Sequence, residues 1–260
     1  MSEQSRRPGL HLVAAEIAPP DCGRCPHRET VLEAGRCQPG DSCLIAHSGR
    51  QIDRFLSRNP EYAEACLNDL FWERRAIAVR YVARERVAEL VHDPDEVVRR
   101  AVAIRLPIEE LGALRQDPDR EVRITVAARL PVDQLERMID DTDYLVRQHV
   151  AERLPHGRLP RMADDSDREV RKAVARRLPA FALKRMAGDP EAEVRRIVAA
   201  RLLPEDAAGL LTDPDWLVRL EAVRHAPMQA IAELIDDPEP DVRTLVYARL
   251  EEFLKQDEST

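Results

Sequence analysis

Aromatic residues and long apolar runs are both scarce in this chain of 260 residues. Phe, Trp and Tyr make up 4% of it and charged residues 34%, a balance that favours a thin, helix-rich body over a thick core. No run of about 18 or more apolar residues occurs, so we predict no membrane-spanning helix. The apolar piece from Leu10 to Ala18 contains Glu16 and lacks a small-residue cleavage site, so we expect no signal peptide.

Familiar catalytic motifs are absent as well. The sequence contains no P-loop, no Gly-rich dinucleotide fingerprint, no His-Glu-x-x-His and no Gly-x-Ser-x-Gly. Paired carboxylates such as Asp140-Asp141 recur, and we interpret them as helix caps. We therefore predict that the protein is not an enzyme, except for electron transfer at its cysteines. The net charge of -8 argues against a dedicated nucleic-acid binder.

Four of the five cysteines are clustered near the start of the chain with the spacing C-x2-C-x11-C-x5-C, at Cys22, Cys25, Cys37 and Cys43. Without export signals, clustered thiols point to a reducing cytoplasm and to metal binding. Four thiolates suit an iron–sulfur cluster or zinc. The wide second spacing favours the bulkier iron–sulfur cluster. Zinc, with His27 or His47 as a replacement ligand, and thiols without metal stay open as alternatives.

The segment from Gln51 to Leu70 predicts helices that join this head to the rest of the chain, with a break at Asn59-Pro60. Cys66 lies in this amphipathic stretch, outside the cysteine motif. We interpret Cys66 as a small buried hydrophobic residue rather than a fifth ligand.

The remaining chain is organised by a 24-residue period. An Asp anchors each regular unit, and an Arg follows six residues later. The anchors are Asp93, Asp117, Asp141, Asp165, Asp189, Asp213 and Asp237, and the arginines are Arg99, Arg123, Arg147, Arg171, Arg195, Arg219 and Arg243. A fixed period of this length predicts a solenoid, in which each unit buries its apolar face against its neighbours.

The residue pattern within each unit predicts one α-helix followed by one short 3₁₀ helix. With the anchor as position zero, Asp93 is expected to cap a helix that begins at Pro94. Apolar residues at positions 5, 9, 10 and 13 line one helix face, and Pro107 at position 14 ends the helix. The few residues left carry Leu111 and Leu114, whose spacing suits a 3₁₀ turn.

The arginine at position 6 projects toward the core in this register. We expect it to pair with the anchor Asp of its own or the adjacent unit, as a structural ladder. The outward face consists of positions 3, 7 and 11, and the variable, partly apolar residues at positions 3 and 7 resemble the composition of a protein interface.

The Asp-Pro-x-x-x-Val-Arg and Arg-Leu-Pro elements, preceded by Cys22, Cys25, Cys37 and Cys43, resemble the leucine-rich repeat variant family of nitrogen-fixing bacteria over nearly the whole chain. The resemblance implies an all-α, right-handed superhelical solenoid of alternating α and 3₁₀ helices, encoded near nitrogen-fixation genes. It also implies an N-terminal [4Fe–4S] cluster held by the four cysteines.

The predicted organisation is a cluster domain with connecting helices over residues 1–68 and a repeat solenoid over 69–260. A divergent first repeat covers 69–92, and regular repeats begin at residue 93. Because a solenoid needs its first apolar edge covered, we expect the cluster domain to cap it.

The sequence is compatible with two main functions. The first is a scaffold that binds an unknown protein partner, with the cluster sensing redox state or iron and a link to nitrogen fixation. The alternative is a one-electron carrier to a docked partner. Nucleic-acid binding through arginines at positions 7 and 12 is a weaker third reading.

Overall fold

The computed structural model describes residues 21–257, so the apolar piece from Leu10 to Ala18 lies outside the described residues. The chain forms two compact units, residues 1–107 and 108–260. Between residues 21 and 257 there is no β-strand, and the one β-like feature is an isolated bridge between Gln38 and Ser42. The predicted all-α class is confirmed. None of the helices in this range is long and apolar enough to cross a membrane.

The first unit begins with a loop-rich head and continues into helices. A single π-helical turn covers Arg28–Leu32, and Gly35 and Gly40 adopt positive φ angles of 68° and 80° that the tight turns require. Its long helices are α1 (Gly49–Arg58), α2 (Trp72–Ala78) and α3 (Glu96–Arg105). Short helical turns occupy Pro60–Tyr62, Glu64–Cys66, Arg84–Val87 and Ala88–Leu90. The break predicted at Asn59-Pro60 is therefore present.

The second unit repeats one pattern. Its long helices are α4 (Arg120–Arg129), α5 (Tyr144–Arg153), α6 (Arg168–Arg177), α7 (Ala192–Ala199), α8 (Trp216–His225) and α9 (Pro240–Asp257). Each of these helices packs beside the next. The solenoid arrangement of 24-residue repeats is thus confirmed within this unit.

The second helix of each repeat is short, as predicted, but it is often mixed. Ile108–Leu114 and Leu159–Met162 are 3₁₀ helices throughout. Elsewhere a four-residue α-turn runs into a 3₁₀ turn: Val132–Leu135 with Glu136–Met138, Ala180–Leu183 with Lys184–Met186, Pro204–Ala207 with Ala208–Leu210, and Met228–Ile231 with Ala232–Leu234. Both forms fit the few residues available between one long helix and the next anchor.

The long helices begin two residues later than predicted. The cap of α3 is Asp95 at position 2, whose carboxylate accepts a hydrogen bond from the Val97 backbone N–H at 3.0 Å. Asp93 at position zero instead accepts from the Asp95 N–H and closes the turn before the helix. The prediction that the anchor caps the helix was therefore wrong. The helix ends as expected, because Leu106 before Pro107 adopts an extended conformation.

The apolar positions form the core. In α6 and its C-cap, Val170, Val174, Ala175 and Leu178 are fully buried. These residues stand at positions 5, 9, 10 and 13, so the helix face predicted from the period is the buried one.

Candidate functional site

The four clustered cysteines lie on two short turns of the head. Cys22 and Cys25 precede the π-helical turn, while Cys37 and Cys43 flank a tight loop. Paired backbone hydrogen bonds between Gln38 and Ser42, at 2.8 and 2.9 Å, close that loop. We call residues 37–43 the cysteine loop.

The environment of the thiols suits metal binding. Burial raises the pKa of the Cys37 thiol, and the neighbouring Cys43, Cys25 and Cys22 raise it further. Burial also raises the pKa of Cys43, while hydrogen bonds from the backbone at Ile45 and Ala46 favour its thiolate. The four sulfurs thus lie within electrostatic reach of one another, and a bound metal would relieve the cost of their charge.

Within residues 21–257, no three His, Cys, Asp or Glu side chains are grouped closely enough to hold a single metal ion as they stand. Four cysteines are the usual ligands of an iron–sulfur cluster. The donor set therefore fits the cofactor, while the identity of its ligands stays a prediction.

The other candidate ligands have structural surroundings. The His27 ring packs edge-on against Tyr62 at 5.4 Å, and the His47 ring lies 5.2 Å from that of Phe71. Cys66 is buried, its thiol donates to the Tyr62 carbonyl at 3.4 Å, and burial raises its pKa to about 11. The structure places Cys66 where a small hydrophobic residue is expected.

The arginines at position 6 form a ladder, as predicted, and the structure shows its direction. In six of these pairs the guanidinium donates two hydrogen bonds, 2.7 to 3.0 Å long, to the anchor carboxylate of the next repeat. The rungs are Arg75–Asp93, Arg123–Asp141, Arg147–Asp165, Arg171–Asp189, Arg195–Asp213 and Arg219–Asp237. The third nitrogen binds the backbone carbonyl of the repeat's own anchor, as Arg171 does with Asp165 at 2.9 Å.

Arginines at position 12 have a second structural role, which the sequence did not indicate. Arg105 donates to the carbonyl of Val82 at 3.1 Å, and Arg177 donates to that of Ala151 at 2.6 Å. Ala151 lies in the last turn of α5, and Val82 follows the end of α2 by four residues, so both carbonyls lie at the C-terminal side of the preceding repeat's long helix. The guanidinium therefore binds the end of the preceding repeat.

A groove of about 610 Å³ lies on the outward face of the first unit. Its apolar lining includes Trp72, Val97 and Ile104, whose side chains are 38%, 42% and 57% exposed. Trp72 stands at position 3 and Ile104 at position 11, both on the face predicted to be outward. The groove therefore brings exposed apolar side chains of two successive repeats together.

Helix α1 forms one wall of this groove through Gly49, Arg50 and Asp53. Asp53 pairs with Arg80 at 3.1 Å and accepts a hydrogen bond from the Tyr81 hydroxyl at 2.9 Å. Gly49 permits close approach of the Glu73 side chain, which would have to shift if residue 49 carried a side chain. The sequence did not identify this wall, since only the packing of α1 brings it beside the repeat.

The same helix holds the cysteine loop. The Cys43 backbone N–H donates to the Gln51 carbonyl at 3.1 Å, and the Gln51 side chain donates to the Gly40 carbonyl at 2.9 Å. Arg54 forms an ion pair with Asp41 in the same loop. The candidate metal centre and the groove therefore lie on two sides of one ten-residue helix.

The fold and the cysteine set define the class as an iron–sulfur protein built on helical repeats. A family model described as "LRV protein FeS4 cluster" matches residues 18–72, and the model "Leucine rich repeat variant" matches 120–143, 144–167 and 168–191. A solved structure titled "a leucine-rich repeat variant with a novel repetitive protein structural motif" is 57% identical, with a TM-score of 0.85 over 89% of this chain and 99% of that one. This chain belongs to the leucine-rich repeat variant family.

A curated relative from Rhodobacter capsulatus is also similar to this chain. It is described as an uncharacterized 27.7 kDa protein in the nifB 3′ region and is 40% identical over 87 residues. The match covers 34% of this chain and 35% of the length of that relative.

Proposed function

We propose that this protein is a [4Fe–4S] protein whose repeats bind a protein partner, with the cluster making binding depend on redox state or iron supply. The observation that carries the proposal is the position of α1 between the cysteine loop and the groove. The protein acts as a scaffold and sensor rather than as an enzyme. We assign no nucleic-acid partner, since the position-12 arginines are bound to backbone carbonyls, and a cytoplasmic location stays a prediction.

Cys22, Cys25, Cys37 and Cys43 hold the cluster in this proposal. A [4Fe–4S] cluster with four thiolate ligands supplies a one-electron couple when bound. Loss of the cluster leaves four neighbouring thiols, of which Cys43 is buried, without the positive charge that stabilises their thiolate forms. Without the cluster, the turn that carries Cys22 and Cys25 is held less tightly to the cysteine loop.

The coupling to the groove runs through three hydrogen-bonded contacts of α1. Gln51 makes two of them with Cys43 and Gly40, and Arg54 makes the third with Asp41. Each contact contributes about 1 kcal/mol net, and about 1.4 kcal/mol corresponds to a tenfold change in an equilibrium constant. Weakening all three is therefore enough to change partner affinity roughly tenfold or more.

Anaerobic purification with iron, sulfide and zinc analysis tests the cofactor, together with electron paramagnetic resonance of the reduced sample. We expect about four irons and four sulfides for each chain with its four Cys ligands, and a signal that appears on reduction. One zinc and no sulfide would overturn the cluster and leave a structural metal site.

Hydrogen exchange tests the coupling in the full chain. We expect the amides of Gly49–Arg58 to exchange faster after the cluster is removed, while those of Tyr144–Arg153 stay unchanged. A Gln51→Ala variant should show faster exchange at α1 with the cluster still bound. Equal exchange at α1 with and without the cluster would contradict the proposed coupling.

Site-specific photo-crosslinking tests partner binding at the groove. A crosslinking residue replaces Ile104, and a matched control replaces Phe181, which is 77% exposed outside the groove. We expect a crosslinked partner at residue 104 whose yield changes when the cluster is oxidised or removed. The proposal would be contradicted if the crosslinking yield at residue 104 were the same with and without the cluster. It would also be contradicted if that yield were no higher than the yield at residue 181.

The electron-carrier alternative is favoured by one observation. Cys22, Cys25 and Cys37 are only half-buried, so a cluster on them lies near the surface, where a partner can exchange electrons with it. Protein-film voltammetry separates the two functions. A stable, reversible one-electron couple favours the carrier, and a cluster that breaks down on oxidation favours the sensor.

A further inference from the structure

The last long helix carries an unusual stripe. Arg243, Tyr247, Leu250 and Leu254 are spaced by four, three and four residues, so they lie on one face of α9. Tyr247 is 47% exposed and Leu254 is 60% exposed, and Leu250 is half-buried. We call these four residues the terminal stripe.

The same positions are covered in the preceding repeats of the second unit. Position 10, where Tyr247 stands, is occupied by Ala127, Ala151 and Ala175, all fully buried. Position 13, where Leu250 stands, is occupied by Leu130, Leu154 and Leu178, which are at most 1% exposed. These positions belong to the face that each repeat packs against the next. Within residues 21–257 no further repeat packs on the terminal stripe, so a face that the other repeats bury is exposed here.

Arg243 adds an electrostatic requirement to this face. The rung arginines of α4 to α8 each bind the next anchor carboxylate. Arg243 donates to its own anchor's carbonyl at Asp237, but among the side chains that the structure describes none offers it a carboxylate. The Arg243 guanidinium is half-buried and lies beside exposed apolar residues. A surface complementary to this face would therefore offer a carboxylate to the guanidinium and apolar groups to its neighbours.

We propose that the terminal stripe is a homodimer contact, in which α9 packs antiparallel against α9 of a second copy. A twofold contact must be self-complementary, and this helix carries both halves. If Tyr247 of one copy packs against Leu250 of the second copy, Arg243 of the first lies beside Leu254 of the second. Arg243 is then about one helical turn from Glu251 of the second copy. Glu251 is exposed and follows Leu250 directly, so it flanks the stripe and supplies the missing carboxylate.

This dimer does not depend on the proposed function of the cluster. It rests on one helix from each copy, so its interface is small and its affinity modest. Dimerisation is therefore concentration-dependent, and most of its free energy comes from the apolar centre of the stripe.

Sedimentation velocity of the full, cluster-containing chain across a wide concentration range tests the inference. We expect a reversible shift from monomer to dimer. Leu254→Glu and Arg243→Glu should each weaken the dimer about tenfold or more. The double variant Arg243→Glu with Glu251→Arg should recover most of that loss, because the charges are exchanged. Phe181→Glu changes an exposed aromatic residue elsewhere and should leave dimerisation unchanged.

Three outcomes would overturn the inference. They are a monomer at every concentration, a dimer that neither Leu254→Glu nor Arg243→Glu weakens, and open-ended assembly beyond the dimer. Leu254 is largely exposed, so Leu254→Glu should fold normally, and circular dichroism checks this for each variant.

Discussion

Breaking one rung of the ladder should destabilise the repeats far more than breaking a surface ion pair. Arg171 donates to Asp189 at 2.7 and 3.0 Å and to the Asp165 carbonyl at 2.9 Å, and its side chain is only 10% exposed. Arg171→Ala leaves the buried Asp189 carboxylate without its counter-ion and the Asp165 carbonyl without the guanidinium donor. Removing one partner of a buried pair costs about 3–5 kcal/mol, and partial exposure of Arg171 points to the lower end, about 3 kcal/mol.

Urea unfolding followed by circular dichroism measures this loss. Asp189→Ala should also destabilise, because it leaves a buried guanidinium unpaired. The double variant should cost less than the sum of the two single variants, since neither charge is then left alone. Hydrogen exchange should place the loss at the interface between these two repeats, because repeat stability is a sum of local terms.

Arg185→Ala is the matched control. Arg185 pairs with Asp164 at 3.0 Å, but the two side chains are 43% and 83% exposed. Its removal should cost no more than about 1 kcal/mol. If Arg171→Ala lowers the free energy of unfolding by no more than this control does, the ladder contributes no more to stability than an exposed ion pair. That result would refute the argument that burial makes the rungs strong.

Four further perturbations follow from the same geometry. Asp167→Ala removes the cap of α6 and should lower stability by about 1 kcal/mol, while Glu191→Asp supplies the cap that α7 lacks and should raise stability by roughly 0.5–1 kcal/mol, both measured by urea unfolding. The hydrogen bond from Arg219 holds the pKa of Asp237 below its usual 3.8, so this rung stabilises fully above pH 3.8 and is lost as pH falls through the lower folded value. An acid titration should therefore show flat stability near neutrality and a smaller acid-induced loss in Asp237→Asn than in the wild type. Cys37→Ser should lower both the iron content and the melting temperature of the repeats, and an unchanged melting curve would contradict the capping role of the head.

The period and the helix content were predictable because the same chemistry returns every 24 residues. The ladder partner was predicted only as the anchor of the same or the adjacent repeat. Periodicity cannot choose between these anchors, since both stand at position zero. Geometry decides, because Arg147 reaches the Asp165 carboxylate with its fork and the Asp141 carbonyl with its third nitrogen.

The helix cap and the groove were missed for different physical reasons. Acidic residues stand at both position zero and position 2, as Asp93 and Asp95 do, and either can cap a helix that follows. Position zero is unavailable because its carboxylate already serves the ladder. The groove depends on long-range packing of α1, and no local pattern places Arg50 near Trp72.

The ladder is directional, so its two ends differ. Asp69, the first anchor, accepts from Arg74 of its own repeat at 2.6 Å, and its carbonyl accepts from Arg75 at 2.7 Å. The carboxylate that other anchors offer to a preceding arginine is thus already engaged, and α1 contacts this repeat through Asp53 instead. Among the side chains that the structure describes, Arg243 has no such local substitute. Because each rung arginine donates to the following repeat, the last one needs a carboxylate from elsewhere, whereas the first anchor already has its donors. This asymmetry supports both the proposed capping by the head and the proposed contact of α9 with a second copy.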